Sequence, residues 1–255
     1  MTPQAQTNFS DVHDSLWRYI HSGSPIEQSA VDDVEKDIRL LDGVQKAYLT
    51  ALLYGAKRDY DSAIAWFNEA LKSEDATIAL NYLAYVGASA HNYFHRMEIF
   101  RLEEQYGSTE MRRVARNAAF CIGNQKLMRI YNLKLSALCD GEEKQFLKEQ
   151  GESMISIVEE FKQAAKLSSN DIEELCDEAE AIANKRGVNC IGAHYFLNGE
   201  SDNAYIIRAE TSDAELLAEM NMELLCLLSS EKYIERPFTS WFRSDVSKKE
   251  ERCDC

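Results

Sequence analysis

The stretch VQKAYLTALLYGAKRDYDSAIAWFNEALKSED, residues 44–75, decides how the fold of this chain is interpreted. It holds two apolar runs on either side of a polar turn at 57–59. In both runs the apolar positions recur three or four residues apart, which is the period of a helix. These positions are Ala47, Ala51 and Tyr54 in the first run, and Tyr60, Ala63, Phe67, Ala70 and Leu71 in the second. The alanines let two helices approach closely, so the stretch predicts a tightly packed helical hairpin.

This stretch resembles a tetratricopeptide (TPR) repeat, a helix pair of about 34 residues. The similarity runs through Ala51, Tyr54 and DYDSAIAWFNEAL at 59–71, and Asp75 stands where the family's closing proline usually lies. A weaker similarity continues over residues 76–167, with hairpin starts near 44, 77 and 111. Its last part predicts a short helix at 142–150 and a separate one at 154–167. The resemblance implies a stack of helical hairpins whose groove binds a protein or peptide segment.

The sequence changes character near Ser168. The segment 171–187 predicts a capped, strongly acidic helix, and 188–197 and 204–210 predict two strands of a hairpin. A helix at 213–228 follows. We therefore predict a mainly α fold with three parts: a TPR-like helical repeat domain over 1–167, a small α+β module (helix-strand-strand-helix) over 168–242, and a flexible charged tail over 243–255 that ends in Cys253-Asp254-Cys255.

Charge and composition exclude some classes of partner. The net charge of −15 argues against a nucleic-acid partner, because phosphates would be repelled. No run of about 18 apolar residues predicts a membrane span, and the N-terminus lacks the pattern of a signal peptide. The seven cysteines show no paired spacing in the body of the chain, which favours a reducing, cytoplasmic location.

The basic residues are concentrated in one region. Residues 92–134 carry a net charge of +4, whereas the remaining residues carry −19. Arg112, Arg113 and Arg116 lie on the helix that, in the TPR family, lines the groove, and some family members grip carboxylate-ended tails with basic residues four apart there. Asn81 is an approximate counterpart of the asparagine that those members use. The resemblance implies peptide binding by these four residues.

The match to the carboxylate-binding members is incomplete, and an alternative stays open. Tyr48 and Leu52 stand where those members have lysine and asparagine, which puts capture of a chaperone tail in doubt. The partner is then a different protein or peptide, and the basic region at 92–134 would suit an acidic one. The alternative is that the arginines pair with acids of the same chain.

Three functions are consistent with these features. The first is a protein–protein interaction adaptor with a TPR-like groove, which could dimerise through its C-terminal module. The second is an acidic regulator, antitoxin or chaperone-like factor that masks a basic partner, suggested by the acids at 171–180. The third is an enzyme with its site in the C-terminal module. The sequence contains no GxGxxG, HExxH, GxSxG or paired CxxC motif, which favours a non-enzymatic function without metal or cofactor.

Overall fold

The computed structural model describes residues 3–198 and 202–246, and for residues 3–8 it describes the backbone alone. Within these ranges the chain forms eleven α-helices and three strands, so the fold is mainly α with a small α+β region near the C-terminus, as predicted. In chain order the elements are α1 Pro3–Ser22, α2 Gln28–Arg39, α3 Gly43–Ala56, α4 Tyr60–Ala70, α5 Ala76–Ala88, α6 Asn92–Tyr106, α7 Thr109–Cys121, α8 Gln125–Ser136, α9 Gly141–Ala165, α10 Ser169–Lys185, β1 Cys190–Phe196, β2 Ala204–Ala209, α11 Ala214–Leu228 and β3 Thr239–Ser244.

The contacts group the chain into two units, Met1–Ala88 and Ser89–Cys255. The first unit contains α1 to α5, and the second contains the other helices and the three strands. This division differs from the predicted boundary near Ser168, which lies between α9 and α10 inside the second unit. Separate folding of residues 1–167 and 168–242 therefore stays a prediction.

The first unit is built around the hairpin of α3 and α4. Asp59 caps α4 by accepting a hydrogen bond from the Ser62 amide at 3.1 Å. Ala51, Ala63 and Ala70 are completely buried, which shows the close helix contact that their size predicts. The hairpin is present as predicted, whereas its membership in the TPR family stays a prediction.

Aromatic rings fill the space that the alanines leave in the first unit. The Phe67 ring is buried, and its centroid lies 6.0 Å from that of Tyr48, 5.4 Å from Tyr82 and 5.3 Å from Tyr85. Aromatic contacts of this kind stabilise a core beyond the area that they bury. Phe67 therefore links α3, α4 and α5.

In the second unit, buried Asn92 joins three elements. Its Nδ2 donates to Oδ1 of Asn184, at 2.8 Å, and to the Val188 carbonyl, at 3.0 Å. Its Oδ1 accepts a hydrogen bond from the Cys190 amide at 2.8 Å. These bonds hold the start of α6 against the end of α10 and the start of β1.

The three strands form one sheet in the order β1-β2-β3. β1 and β2 are antiparallel, and β2 and β3 are parallel with α11 between them along the chain. The hydroxyls of Tyr195 and Tyr205 donate to the carbonyls of Phe120 and Cys121, each at 2.8 Å. Both carbonyls lie at the C-terminal end of α7, and that of Phe120 also accepts a hydrogen bond from the Gly123 amide at 3.0 Å. The sheet is thereby attached to the C-terminal end of α7.

One local prediction is wrong, and another is incomplete. Residues 141–165 form one continuous helix, α9, instead of two helices, because Gly151 is accommodated inside it. The predicted hairpin of two strands is joined by a third strand, β3. This strand extends to Ser244 and so includes the first residues of the predicted tail. Pairing with β2 orders this segment, and the amide of Asp245 donates to the carbonyl of Ala209 at 2.9 Å. Cys253-Asp254-Cys255 lies outside the described residues.

Candidate anion-binding site

A cavity of about 940 Å³ lies within the second unit, between α6, α7, α9 and β1. Its volume is in the range of small-ligand pockets, roughly 300–1,000 Å³. It is lined by Asn92, His95, Arg96 and Ile99 of α6; Arg113, Val114, Arg116, Asn117, Ala118, Phe120 and Cys121 of α7; Glu143, Phe146, Leu147, Gln150 and Met154 of α9; Glu180; Asn189; Cys190, Ile191, Gly192, Ala193 and His194 of β1; and Arg208 of β2. On α6 and α9 the lining residues recur about three or four apart, so one face of each of these helices meets the cavity.

Arg116 is a buried charged residue in the lining of this cavity. It is only 3% exposed, although an arginine side chain is normally solvated. Its Nη1 donates to Oδ1 of Asn132 at 3.0 Å, and its Nη2 donates to Oε1 of Gln150 at 2.7 Å. Its buried Nε has no partner among the described residues. Two neutral amides therefore orient the guanidinium group without neutralising its charge.

Gly151 makes room for one of these amides. A Cβ atom at residue 151 would lie 2.1 Å from Nδ2 of Asn132, closer than two such atoms can approach. Any other side chain at this place on α9 would push Asn132 away from its present position. The glycine thus explains how α8 can present Asn132 to Arg116.

Arg113 adds a second positive charge near Arg116. It lies on α7 with its side chain exposed, and the two arginines are three residues apart. Burial, and after it the charge of Arg113, lower the pKa of Arg116. Neither arginine forms an ion pair with an acidic side chain in the described ranges 3–198 and 202–246. Bound anions would relieve this unfavourable concentration of charge, because carboxylates and phosphates accept hydrogen bonds from guanidinium groups.

The other two arginines of the cavity are already neutralised. Arg96 is buried and pairs with Asp177 and with Glu180, the latter at 3.0 Å. Arg208 pairs with Asp245. These arginines hold α6 to α10 and β2 to the segment after β3. Outside these pairs, the lining residues include one further carboxylate, that of Glu143.

The two histidines of the cavity are weak bases. Burial lowers the pKa of His95 from 6.5 to about 4. Burial, followed by the charges of Arg243 and Arg208, also lowers the pKa of His194. Both rings are therefore predominantly neutral near pH 7 and add no fixed charge to the cavity.

The thiols in the cavity wall are not activated as nucleophiles. Burial raises the pKa of Cys121 to about 11, and burial also raises the pKa of Cys190 well above its usual value. The reactive form of cysteine is the thiolate, which is scarce when the pKa is so high. Among the described residues, no group of three or more His, Cys, Asp or Glu side chains is placed to hold a metal ion.

The predicted peptide-binding residues lie in different environments. Arg113 and Arg116 line the cavity, whereas Arg112 and Asn81 do not. Arg112 donates to the Lys134 carbonyl at 2.7 Å, and its Nε lies 3.6 Å from a carboxylate oxygen of buried Glu103. For Arg112 the alternative of an in-chain acidic partner therefore applies. Asn81 is half-buried on α5 in the first unit.

The sequence interpretation missed most of the residues around the two arginines. Asn132 and Gln150 are ordinary helical residues in the sequence, and neither residue type by itself indicates contact with Arg116. The usable signal was on α9, where Phe146, Gln150 and Met154 recur one turn apart. The prediction of two separate helices at 142–150 and 154–167 interrupted this pattern.

Comparison with known proteins adds no family. None of the family models, curated proteins and solved structures searched gives a significant match to the chain. Among the described residues, no helix is both long and apolar enough to cross a membrane. The function must therefore be argued from the cavity itself.

Proposed function

We propose that the protein is an interaction adaptor that binds an acidic protein or peptide segment in the cavity beside Arg113 and Arg116. The observation that carries this proposal is the state of Arg116, a buried guanidinium group oriented by two amides and lacking a carboxylate in the described chain. Leaving a buried charge unpaired costs several kcal/mol. A bound carboxylate would supply the missing partner.

The resemblance to a TPR repeat concerns the helical hairpin of the first unit. The α3–α4 hairpin, with its buried Ala51, Ala63 and Ala70, supports a TPR-type repeat. The anion-binding residues proposed here lie instead in the second unit. The binding site proposed from the cavity therefore does not depend on the first repeat.

The acidic helix gives little support to the alternative of masking a basic partner. Of the six acids at 171–180, five have partners within the chain. These are Asp171 with Ser168, Glu174 with Lys232, Asp177 and Glu180 with Arg96, and Glu178 with Tyr233. A free acidic face was the reason for that alternative, and three of the six acids, Glu174, Asp177 and Glu180, already pair with cations of the same chain.

Two further features belong to the adaptor proposal. The α11 helix exposes Met222 (61%) and Leu225 (54%), three residues apart, which supports contact with a second copy of the chain. Cys121, Cys139, Cys176, Cys190 and Cys226 are all free thiols, which supports a reducing, cytoplasmic location.

Affinity capture tests the proposed function directly. The full chain is immobilised as wild type, as Arg113→Glu and as Arg129→Glu, and captured proteins are identified by mass spectrometry. Arg129 is the matched control, because it is exposed on α8, carries the same charge and does not line the cavity. We expect a set of proteins with acidic segments that the wild type and Arg129→Glu retain and Arg113→Glu loses. The same captured proteins on all three baits would contradict the proposal.

A further inference from the structure

The α9 wall of the cavity combines polar and apolar groups. Gln150, which orients Arg116, stands between Phe146 and Met154 on the same face of the helix. Each is four residues from Gln150, or about 6 Å along the helix axis. The cavity thus places apolar side chains within one helical turn of the group that orients its anion-binding arginine.

Phe146 is the unusual member of this wall. Its side chain is 61% exposed, although it lines a cavity that Leu147, Met154 and Ile99 also line. A solvent-exposed phenylalanine gains free energy when a ligand covers it, since apolar area is then removed from water. A ligand that offered only an acidic group would leave this ring exposed.

We propose that the cavity recognises a two-part motif: an acidic side chain that pairs with Arg113 and Arg116, and, a few positions away in the same segment, an aliphatic or aromatic side chain that packs on Phe146. This inference rests on the proposed function and specifies its ligand. Two features of the cavity favour a peptide: the two unneutralised arginines are complementary to an acid, and the adjoining apolar wall is complementary to a second, apolar group on the same segment. Glu143, which also lines the cavity, would disfavour an acid at the Phe146 end.

Selection from a displayed library of random decapeptides tests the motif. The full chain is used as wild type, as Phe146→Ser and as Leu133→Ser. Leu133 is the matched control, because it is 67% exposed on α8 and does not line the cavity. Both variants remove an exposed leucine or phenylalanine, so neither substitution opens the core.

We expect wild type and Leu133→Ser to enrich peptides that carry Asp or Glu together with Leu, Phe or Trp a few positions away. Phe146→Ser should still enrich the acids but lose the preference for the apolar residue. A peptide enriched by the wild type should bind Phe146→Ser about tenfold more weakly, as expected for one apolar side chain left uncovered.

The possible outcomes separate this inference from the proposed function. Enrichment of acids alone, or an unchanged apolar preference in Phe146→Ser, overturns the two-part motif and leaves acidic binding standing. No enrichment of acids by the wild type overturns both. An adaptor whose cavity recognises only the acidic side chain would enrich acids alone.

Discussion

Nη1 of Arg116 and Oδ1 of Asn132 lie 3.0 Å apart, and the close approach of α8 and α9 at Gly151 makes this contact possible. The hydrogen bond joins a buried cation to a neutral amide. It therefore fixes the direction of the guanidinium group and leaves its charge available. The orientation of this positive charge thus depends on Gly151, a residue without a functional group.

The first prediction concerns Gly151. In the wild type, Gly151→Ala should lower the free energy of unfolding by about 1–3 kcal/mol, because the new Cβ atom collides with Asn132. In an Asn132→Ala background the same change should instead raise it by about 0.5–1 kcal/mol, since alanine favours a helix over glycine. Urea unfolding of the four proteins measures this change of sign. A stabilising Gly151→Ala in both backgrounds would contradict the close contact.

The second prediction concerns the α3–α4 hairpin. Ala70→Glu should lower the melting temperature strongly, because it places an unpaired carboxylate at a completely buried position. Ala65→Glu makes the same substitution on the exposed face of α4 and should change stability by less than about 0.5 kcal/mol. Thermal unfolding followed by circular dichroism compares them. Equal melting temperatures would refute the packing of α3 on α4.

The third prediction concerns pH. The pKa of His95 falls from 6.5 to about 4 on folding, because the ring is buried. Between these two pKa values the unfolded chain therefore binds more protons than the folded chain. The contribution of His95 to the free energy of unfolding is thus fully present above pH 6.5 and is lost as the pH falls towards 4. The loss should be on the order of 2 kcal/mol.

Comparison with a His95→Gln variant isolates this contribution, because the carboxylates of the chain titrate in both proteins. The difference in unfolding free energy between wild type and variant should narrow or reverse from pH 7 to pH 4.5. A difference that stays constant over this range would show that His95 titrates normally in the folded chain.

The fourth prediction concerns self-association. If Met222 and Leu225 of α11 contact a second copy, Leu225→Glu should weaken the dimer at least tenfold, because it puts a charge into an apolar interface. Light scattering during size-exclusion chromatography measures the mass of both proteins. A wild type that remains monomeric at tens of micromolar would rule out this contact between two copies.

Local sequence signals predicted the helices well. The capped acidic helix predicted at 171–187 is present as α10, with Ser168 as its N-cap, and the alanines of α3 and α4 are buried as their spacing predicted. These features depend on neighbours within a few residues. The order of the elements in the C-terminal module, apart from β3, could be read for the same reason.

The sequence pattern could not reveal features that depend on distant partners. β3 pairs in parallel with β2 across the intervening α11, and its TSWFRS sequence lacks a clear alternation. The cavity likewise joins residues of α6, α7, α9 and β1 that lie far apart in the chain. Arg112, Arg113 and Arg116 are neighbours on one helix. Only their surroundings in space distinguish Arg112, which contacts Glu103, from the two arginines that line the cavity.

Isothermal titration with an acidic, apolar-containing decapeptide from the library tests the central claim most directly. We predict that Arg113→Glu weakens binding by at least tenfold, since one charge-assisted contact worth roughly 1.5–3 kcal/mol is replaced by repulsion. Arg129→Glu should bind within about twofold of the wild type, and added salt should weaken the wild type more than Arg113→Glu. Equal affinities for the wild type and both variants would contradict anion binding at this cavity.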